Sequence, residues 1–181
     1  ESFIPDFEKK LKVETGKVVE ENIYTIISPD IAASQSITPK NLRSVYGITG
    51  YGNSLSSQLI YGSSGQTYKP SDISFFEKKY SLPLNPVDYT IAAPNNSICK
   101  TSLITCAEAS LDLEYILAIA NNATTTYWYT TKSYTTWLYQ VGNMTNPPKV
   151  ISISYGSYET LVAKSQLASF NIEAMKIGLR G

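Results

Sequence analysis

The sequence contains no histidine. A serine–histidine–aspartate triad therefore cannot be built from this chain alone, nor can a cysteine–histidine pair or a histidine-ligated metal site. An enzyme made from these residues must use carboxylates, tyrosine, lysine or serine for proton transfer and nucleophilic attack. The missing residue type thus narrows the possible chemistry before any motif is considered.

Charge is also scarce. Charged residues make up 17% of the chain, below the usual quarter, and 15 basic residues balance 15 acidic ones. This balance gives no reason to expect a nucleic acid or an anionic membrane surface as partner. No apolar run approaches the length of a membrane span. The 14 tyrosines and many hydroxyl side chains are typical of a neutral protein found outside the cytosol.

Three Asn-x-Ser/Thr sequences and one pair of cysteines agree with an oxidising compartment. The acceptor residues, each in a predicted loop, are Asn95, Asn122 and Asn143. Cys99 and Cys106 close a short loop if they pair; the alternatives are two free thiols or a bridge to another chain. We therefore expect a secreted or lysosomal (or vacuolar) glycoprotein, and we favour the local disulfide.

Helix and strand signals alternate along most of the chain. Helices are predicted from Thr38 to Gly47, from Ser71 or Asp72 to Tyr80, and over 106–121, 134–141 and 158–177. Strands are predicted over 56–61, 87–92, 124–131 and 150–154. The predicted buried stripe of the last helix is Leu161, Leu167, Phe170, Ala174 and Ile177. This alternation indicates an α/β protein with a parallel sheet and helices on both faces.

The first 36 residues differ from the rest. Charge is crowded between Glu8 and Glu21, and only the run Ile23–Ile27 resembles a strand. We predict that 1–36 is an N-terminal extension or prosegment remnant and that the domain proper spans 37–181. The sequence ends after a crossover helix, where the next buried strand of such a sheet should begin. We therefore expect the chain to be one piece of a larger fold.

The predicted helix 106–121 carries two carboxylates on one face. Glu108 and Asp112 are four residues apart, which places their Cβ atoms roughly 5–6 Å from each other. Carboxylates this close repel and, if partly buried, can share one proton, an arrangement suited to general-base catalysis in acid. Such pairs also arise by chance on solvated helix faces, and the spacing alone favours that interpretation.

The run Glu108-Ala109-Ser110-Leu111-Asp112, followed by Tyr115, resembles the catalytic helix of the sedolisins, a family of serine-carboxyl peptidases. Other stretches resemble that family in the same order: 38–46, 70–83, and 151–156 with Glu159 just after. The resemblance covers roughly residues 36–181. It implies a subtilisin-like α/β fold, of which this chain would be only the N-terminal half.

The resemblance also implies roles for single residues. Glu108 would accept the proton of a nucleophilic serine, and Asp112 would hold and polarise Glu108. The segment Ser154-Tyr155-Gly156 would pair with the backbone of a peptide substrate. The family's serine, oxyanion-hole aspartate and calcium site would lie on a C-terminal remainder, because none of their motifs occurs in 1–181. No metal site is therefore expected in this chain.

We accordingly predict an acid-acting peptidase, either an endopeptidase or a tripeptidyl peptidase, whose partner is the C-terminal chain bearing the serine. This chain alone should hydrolyse nothing. The competing hypothesis is a non-catalytic secreted glycoprotein, or a degenerate peptidase fragment, that binds peptides or a partner. The intact pair Glu108 and Asp112 argues mildly against it.

Overall fold

The computed structural model describes residues 37–100, 102 and 104–180. From Thr38 onward these residues belong to one compact unit. The predicted extension 1–36, with its strand-like run Ile23–Ile27, lies outside the described residues, so the division of the chain at residue 36 stays a prediction. Within the described part, no helix is long and apolar enough to cross a membrane.

Four parallel strands form the centre of the fold. They are β1 (Ser57–Gly62), β2 (Tyr89–Ile91), β3 (Thr124–Tyr129) and β4 (Val150–Ser152). The spatial order is β2-β3-β1-β4, and every neighbouring pair is parallel. Ile60 of β1 is in register with Tyr127 of β3 and with Ser152 of β4. All four carboxyl ends therefore lie at one edge of the sheet.

The helices of the described part are α1 (Pro39–Val45), α2 (Pro70–Lys79), α3 (Ile104–Ile119), α4 (Tyr134–Gly142) and α5 (Lys164–Gly178). Three of these five helices, α2, α3 and α4, make the connections that parallel strands require, whereas α1 precedes β1 and α5 follows β4. Two short 3₁₀ turns, Asn96–Lys100 and Glu159–Leu161, precede α3 and α5. Each helix and strand predicted between 38 and 178 has a counterpart whose ends differ by at most two residues, except that the last helix begins at Lys164 and not at 158.

Successive residues of β1 face opposite layers of the core. Ile60 packs with Leu113 and Leu117 of α3, in a cluster that also includes side chains of α2 and β3. Leu59 and Tyr61 pack against α4, whose own apolar face is covered in turn by α5. Burial of each such side chain stabilises the fold by about 1.5–3 kcal/mol. The predicted α/β class, with a parallel sheet covered on both faces, is confirmed.

The start of α1 follows the predicted pattern. Thr38 is the N-cap, and its hydroxyl accepts a hydrogen bond from the Asn41 amide at 3.2 Å. Pro39 takes the first helical position, where its missing amide hydrogen costs nothing. Gly47 follows the helix with a φ of +62°, a left-handed conformation that glycine adopts readily.

Two predicted helix boundaries are wrong. The helix α2 begins at Pro70, with Lys69 in the capping position, and not at Ser71 or Asp72. Pro70 fixes φ near the helical value, so the helix can begin one residue before the polar side chains. The predicted last helix is broken, because the backbone is extended at Val162 and at Ala163, the N-cap of α5.

That break also corrects the predicted buried stripe. Leu161 lies before the break and is 75% exposed. Phe170, Ala174 and Ile177 lie in α5 and pack on the core cluster of β1 and α4. The helical period that relates these residues to one another does not extend across an extended segment, so Leu161 faces solvent.

Candidate active site

The topology brings the predicted site residues to one edge of the sheet. Since α3 connects β2 to β3, its first turns lie at the carboxyl edge, and they carry Glu108 and Asp112. Ser154 and Tyr155 follow the end of β4 at the same edge. Open α/β sheets bind their ligands at this edge, because the loops after the strands converge there.

The rotation of α3 is set by its buried stripe. Ala109 and Leu113 are both 0% exposed. They belong to the core cluster that contains Ile60 of β1 and Tyr127 of β3. Glu108 and Asp112 each precede one of these two helix residues by one position, so both lie at the border of the stripe and are half-buried. The fold therefore presents the two carboxylates together without placing either of them fully in the core.

The environment of Asp112 changes the pKa of its carboxyl. Burial raises the pKa of its carboxyl, and the nearby Glu108 carboxylate raises it further. The Ser154 side chain hydrogen-bonds the carboxyl and lowers its pKa, but the net pKa lies above the ordinary value. Its Oδ2 atom is buried and accepts no hydrogen bond from the described residues. Asp112 thus keeps a proton to higher pH than an exposed aspartate does.

Tyr155 places a buried hydroxyl beside the pair. Burial raises its pKa to about 12, and the charges of Asp112 and Glu108 also contribute to the increase in pKa. The Ser63 backbone lies near enough to lower that pKa, yet the hydroxyl makes no hydrogen bond of normal geometry within the described part. The ring packs edge-on against Tyr61, with 5.5 Å between ring centroids. The hydroxyl therefore stays protonated and can donate at any working pH.

The three residues of the predicted substrate segment Ser154-Tyr155-Gly156 have different surroundings. Ser154 and Gly156 are exposed, whereas the Tyr155 side chain is turned toward the carboxylates. A substrate pairing with this segment would meet its backbone and the exposed neighbours of Tyr155. The binding of substrate by all three residues stays a prediction.

Sequence reasoning missed Tyr127 of β3. Its side chain is 0% exposed, and its hydroxyl donates to the Gln66 carbonyl at 2.9 Å. Burial raises its pKa, with the charge of Asp112 among the smaller contributions to that pKa. A Cβ atom added at Gly62 would overlap the Tyr127 hydroxyl, so β1 needs glycine at this point. The alternation of buried residues along β3 is the signal that could have identified this tyrosine.

The loop after β1 forms hydrogen bonds with both β3 and the first turn of α3. The Gly65 amide donates to the Tyr129 hydroxyl at 3.1 Å. The Thr67 amide donates to the Thr105 carbonyl at 3.2 Å, and the Gln66 side chain donates to the Ile104 carbonyl at 2.9 Å. These bonds hold the first turn of α3 against the strand ends. Glu108 lies in the next turn, so its position depends on this loop.

A disulfide holds the same turn from the other side. Cys99 and Cys106 are bridged, with 5.6 Å between their Cα atoms, and both are buried. The structure therefore has the local bridge that the sequence analysis favoured over the alternatives. Glu108 lies only two residues beyond Cys106, so the bridge also restricts the backbone that carries the base candidate.

The three predicted glycosylation sites are accessible. Asn95, Asn122 and Asn143 are all exposed and lie outside the strands. Their modification stays a prediction. Among the described residues, no group of three or more acidic or cysteine side chains is arranged to hold a metal ion. The calcium implied by the family resemblance was assigned to a C-terminal remainder and involves no residue described here.

No family model matches the chain, and the known proteins to which it is distantly similar include two peptidases. Physarolisin of Physarum polycephalum is 30% identical over 102 residues, which cover 54% of this chain and 16% of that protein. Tripeptidyl-peptidase 1 of Dictyostelium discoideum is 26% identical over 174 residues, which cover 91% of this chain and 26% of that protein. The chain is distantly related to these two peptidases. It spans about a quarter or less of their length.

Proposed function

We propose that this chain is the N-terminal portion of an acid-acting serine-carboxyl peptidase of the sedolisin type. One observation carries the proposal: Glu108 and Asp112 meet Ser154 and Tyr155 at the carboxyl edge of a parallel sheet, with the pKa of Asp112 raised. The distant similarity to two peptidases supports it. The substrate would be a peptide, cut internally or as an N-terminal tripeptide.

In the proposed mechanism, the nucleophilic serine and an oxyanion-hole aspartate come from a C-terminal remainder. Glu108 accepts the serine proton as the serine oxygen attacks the scissile carbonyl carbon. Glu108 then passes this proton to the leaving amine, and the same cycle with water releases the acyl group. A carboxylate base remains usable in acid, where an imidazole would already be protonated.

Asp112 and its neighbours would tune this base. Because its pKa is raised, Asp112 would be able to hold a proton close to Glu108, as the proposed pairing of the two carboxylates requires. Ser154 holds the Asp112 carboxyl, and the Tyr155 hydroxyl supplies a further donor in the same buried space. In this proposal the proton is shared among these neighbouring groups.

The edge after β4 offers a place for the peptide backbone. Within the described sheet β4 pairs only with β1, so its other edge has unpaired backbone groups. A substrate added as an extended strand along Ser154-Tyr155-Gly156 would bring its scissile bond toward Glu108. This geometry favours cleavage of extended peptides over compact substrates.

The proposal includes a partner and a location. The serine-bearing C-terminal chain would carry the oxyanion aspartate and a calcium ion, and the assembled protein would act in a secreted or lysosomal (or vacuolar) setting. The intact mass of purified material, before and after reduction, tests this directly. A second chain is expected. A single folded species near 20.0 kDa plus glycan would instead favour the non-catalytic glycoprotein.

Replacing the base tests the mechanism. Glu108→Gln keeps the shape of the side chain but cannot accept a proton, so peptidase activity of the assembled enzyme at acidic pH should fall by about 10²–10⁴-fold. The unfolding temperature should stay within a few degrees of wild type. Glu173→Gln, which neutralises a carboxylate on α5 outside the stretches that resemble the family, is the matched control and should retain activity. Activity retained in Glu108→Gln would refute the assigned role.

A further inference from the structure

A concave surface lies at the edge of the sheet opposite the candidate active site, where the strands begin. Loops before β1, β2 and β3 converge there on a groove of about 580 Å³. Its lining residues are Tyr51, Gly52, Asn53, Ser54, Asn85 and Asn122. The lining is rich in amide and hydroxyl groups with one aromatic ring. The proposed peptidase mechanism uses none of these residues.

One of the lining residues is itself a predicted attachment point for sugar. Asn122 begins the sequence Asn-Ala-Thr and lies exposed in the turn between α3 and β3. We propose that this groove binds the innermost sugars of an N-linked glycan attached to Asn122. The proposal depends on use of that acceptor site and is independent of the peptidase function.

The aromatic ring in the groove is fixed in place. The Arg43 guanidinium lies over the Tyr51 ring, 4.4 Å from its centroid. Arg43 in turn donates to the Ile119 carbonyl at the end of α3 at 3.1 Å and to the Gly50 carbonyl. Tyr51 is nevertheless 60% exposed. A ring held this way can pack on the apolar face of a sugar with little loss of side-chain entropy.

The loop that carries Tyr51 is in direct contact with the turn that carries Asn122. A Cβ atom added at Gly52 would lie 2.7 Å from the Ala120 carbonyl carbon and 2.9 Å from the Ala123 amide nitrogen. Only glycine allows this approach without moving the backbone. The attachment point and the ring therefore line the same groove, on two segments that are in direct contact.

Side-chain amides provide polar partners for sugar hydroxyls. The Oδ1 atom of Asn53 accepts a hydrogen bond from the Leu55 amide at 2.9 Å, which fixes the orientation of that side chain at an exposed position. Asn85 also lines the groove. Amides both donate and accept, as pairs of neighbouring sugar hydroxyls require.

Covalent attachment makes weak contacts sufficient. A free sugar that binds such a groove with a millimolar dissociation constant would leave it mostly empty. A sugar attached to the wall has an effective concentration in the millimolar range or above, so the same contacts would be largely occupied. The groove therefore suits a tethered glycan better than a diffusing carbohydrate.

The chain contains a matched comparison site. Asn143 follows α4, and its side chain donates to the Tyr139 carbonyl at 2.8 Å. It does not line the groove. Tyr139 is 57% exposed, close to the 60% of Tyr51, so the two tyrosines differ mainly in their surroundings. A glycan on Asn143 should project into solvent.

The experiment measures how fast each glycan is removed from the folded protein. The chain is produced in a eukaryotic secretory host and treated with peptide N-glycosidase without denaturant, and release is followed site by site by mass spectrometry. We expect release at Asn122 to be about tenfold slower than at Asn143, which corresponds to a docked-to-free ratio of about ten. Tyr51→Ala should remove the difference, and Tyr51→Phe should keep it.

Tyr139→Ala is the control and should leave release at Asn122 unchanged. Equal release at the two sites in the wild type would overturn the proposal, as would slow release that persists in Tyr51→Ala. Absence of glycan at Asn122 in protein that is modified at Asn95 or Asn143 would also overturn it. Before treatment, circular dichroism spectra that match between the wild type and each variant verify that the proteins are folded.

Discussion

At the scale of single residues, the candidate site depends on how the neighbours of Asp112 change the pKa of its carboxyl. Burial and the Glu108 charge raise its pKa, and the Ser154 hydroxyl opposes that change in pKa. Tyr155 adds a protonated hydroxyl whose own pKa is about 12. None of these effects requires a residue that ionises near neutral pH. A site without histidine can therefore still hold a mobile proton in acid.

Ser154 offers a direct test of this balance. Because its hydroxyl lowers the pKa of Asp112, Ser154→Ala should raise that pKa further and leave a larger fraction of Asp112 protonated at mildly acidic pH. The titration of the Asp112 carboxyl, followed by carbon-detected NMR in the chain itself, measures the change. Ser157→Ala, at an exposed position three residues on, is the control. A pKa that stays unchanged or falls in Ser154→Ala would contradict the assignment.

At the scale of elements, α3 connects several parts of the molecule. Its first turns carry the carboxylates, its middle faces α2, and its end leads to the turn with Asn122. Glu114 lies on the side near α2, and its pKa is raised to about 7, first by burial and then by the charge of Asp72, while Lys79 acts in the opposite direction. The contact between α2 and α3 is therefore sensitive to pH.

The sign of that sensitivity is determined by the pKa of Glu114. Its pKa in the folded chain, about 7, is above the ordinary 4.5, so the folded state binds this proton more tightly than the unfolded state. The resulting stability is complete below pH 4.5 and is lost as pH rises through 7. Glu114→Gln should therefore raise the thermal unfolding temperature at pH 7.5 and change it little at pH 4.

Thermal unfolding followed by circular dichroism at the two pH values, at equal ionic strength, checks this prediction. The quantity to compare is the difference between the two unfolding temperatures, which should be smaller in Glu114→Gln than in the wild type. An unchanged difference would show that Glu114 does not couple the contact to pH.

The disulfide acts on the start of the same helix. Replacing both Cys99 and Cys106 by serine leaves no unpaired thiol and removes the restraint on the unfolded chain, at a cost of about 2.5 kcal/mol for a loop this short. Urea denaturation measures the loss. Amide hydrogen exchange in the first turns of α3 should accelerate more than exchange in α4. If exchange near Glu108 did not change, the bridge would not be positioning the base.

At the scale of the whole molecule, the outer face of α5 is an exposed apolar surface. On α5 the side chains of Ile172, Met175 and Leu179 follow helical spacing and are 48%, 61% and 88% exposed. The opposite face of α5 packs on the core. In the proposed enzyme, this outer face would be covered by the C-terminal chain.

The uncovered face should bind an apolar fluorescent dye in the isolated chain. The double variant Ile172→Lys with Met175→Lys should lower the dye fluorescence markedly, while the unfolding temperature changes little because both side chains are exposed. Phe75→Lys on α2, which removes a side chain that is 70% exposed, is the control and should have a small effect on fluorescence. An equal loss of dye fluorescence in the α5 double variant and in Phe75→Lys would mean that the dye does not bind preferentially to the outer face of α5.

Much of this protein was determined by local sequence. The alternation of periods gives the order of helices and strands, Thr38 with Pro39 gives the start of α1, and the spacing of Glu108 and Asp112 gives a carboxylate pair on one helix face. These features depend on neighbours within a few residues, because side-chain direction along a helix or strand repeats with a fixed local period. Local patterns therefore sufficed for the fold class and for the carboxylate pair, whereas the role of Glu108 as a base rests on the family resemblance.

Other features were decided only by the tertiary structure. Tyr127 reaches the site because Gly62, 65 positions earlier, leaves room for its hydroxyl, and the groove beside Asn122 exists because Gly52 packs on the end of α3. The break before α5 and the raised pKa of Asp112 likewise depend on what packs against them. Burial, desolvation and close backbone approach join residues that are distant in sequence, so no local pattern contains them.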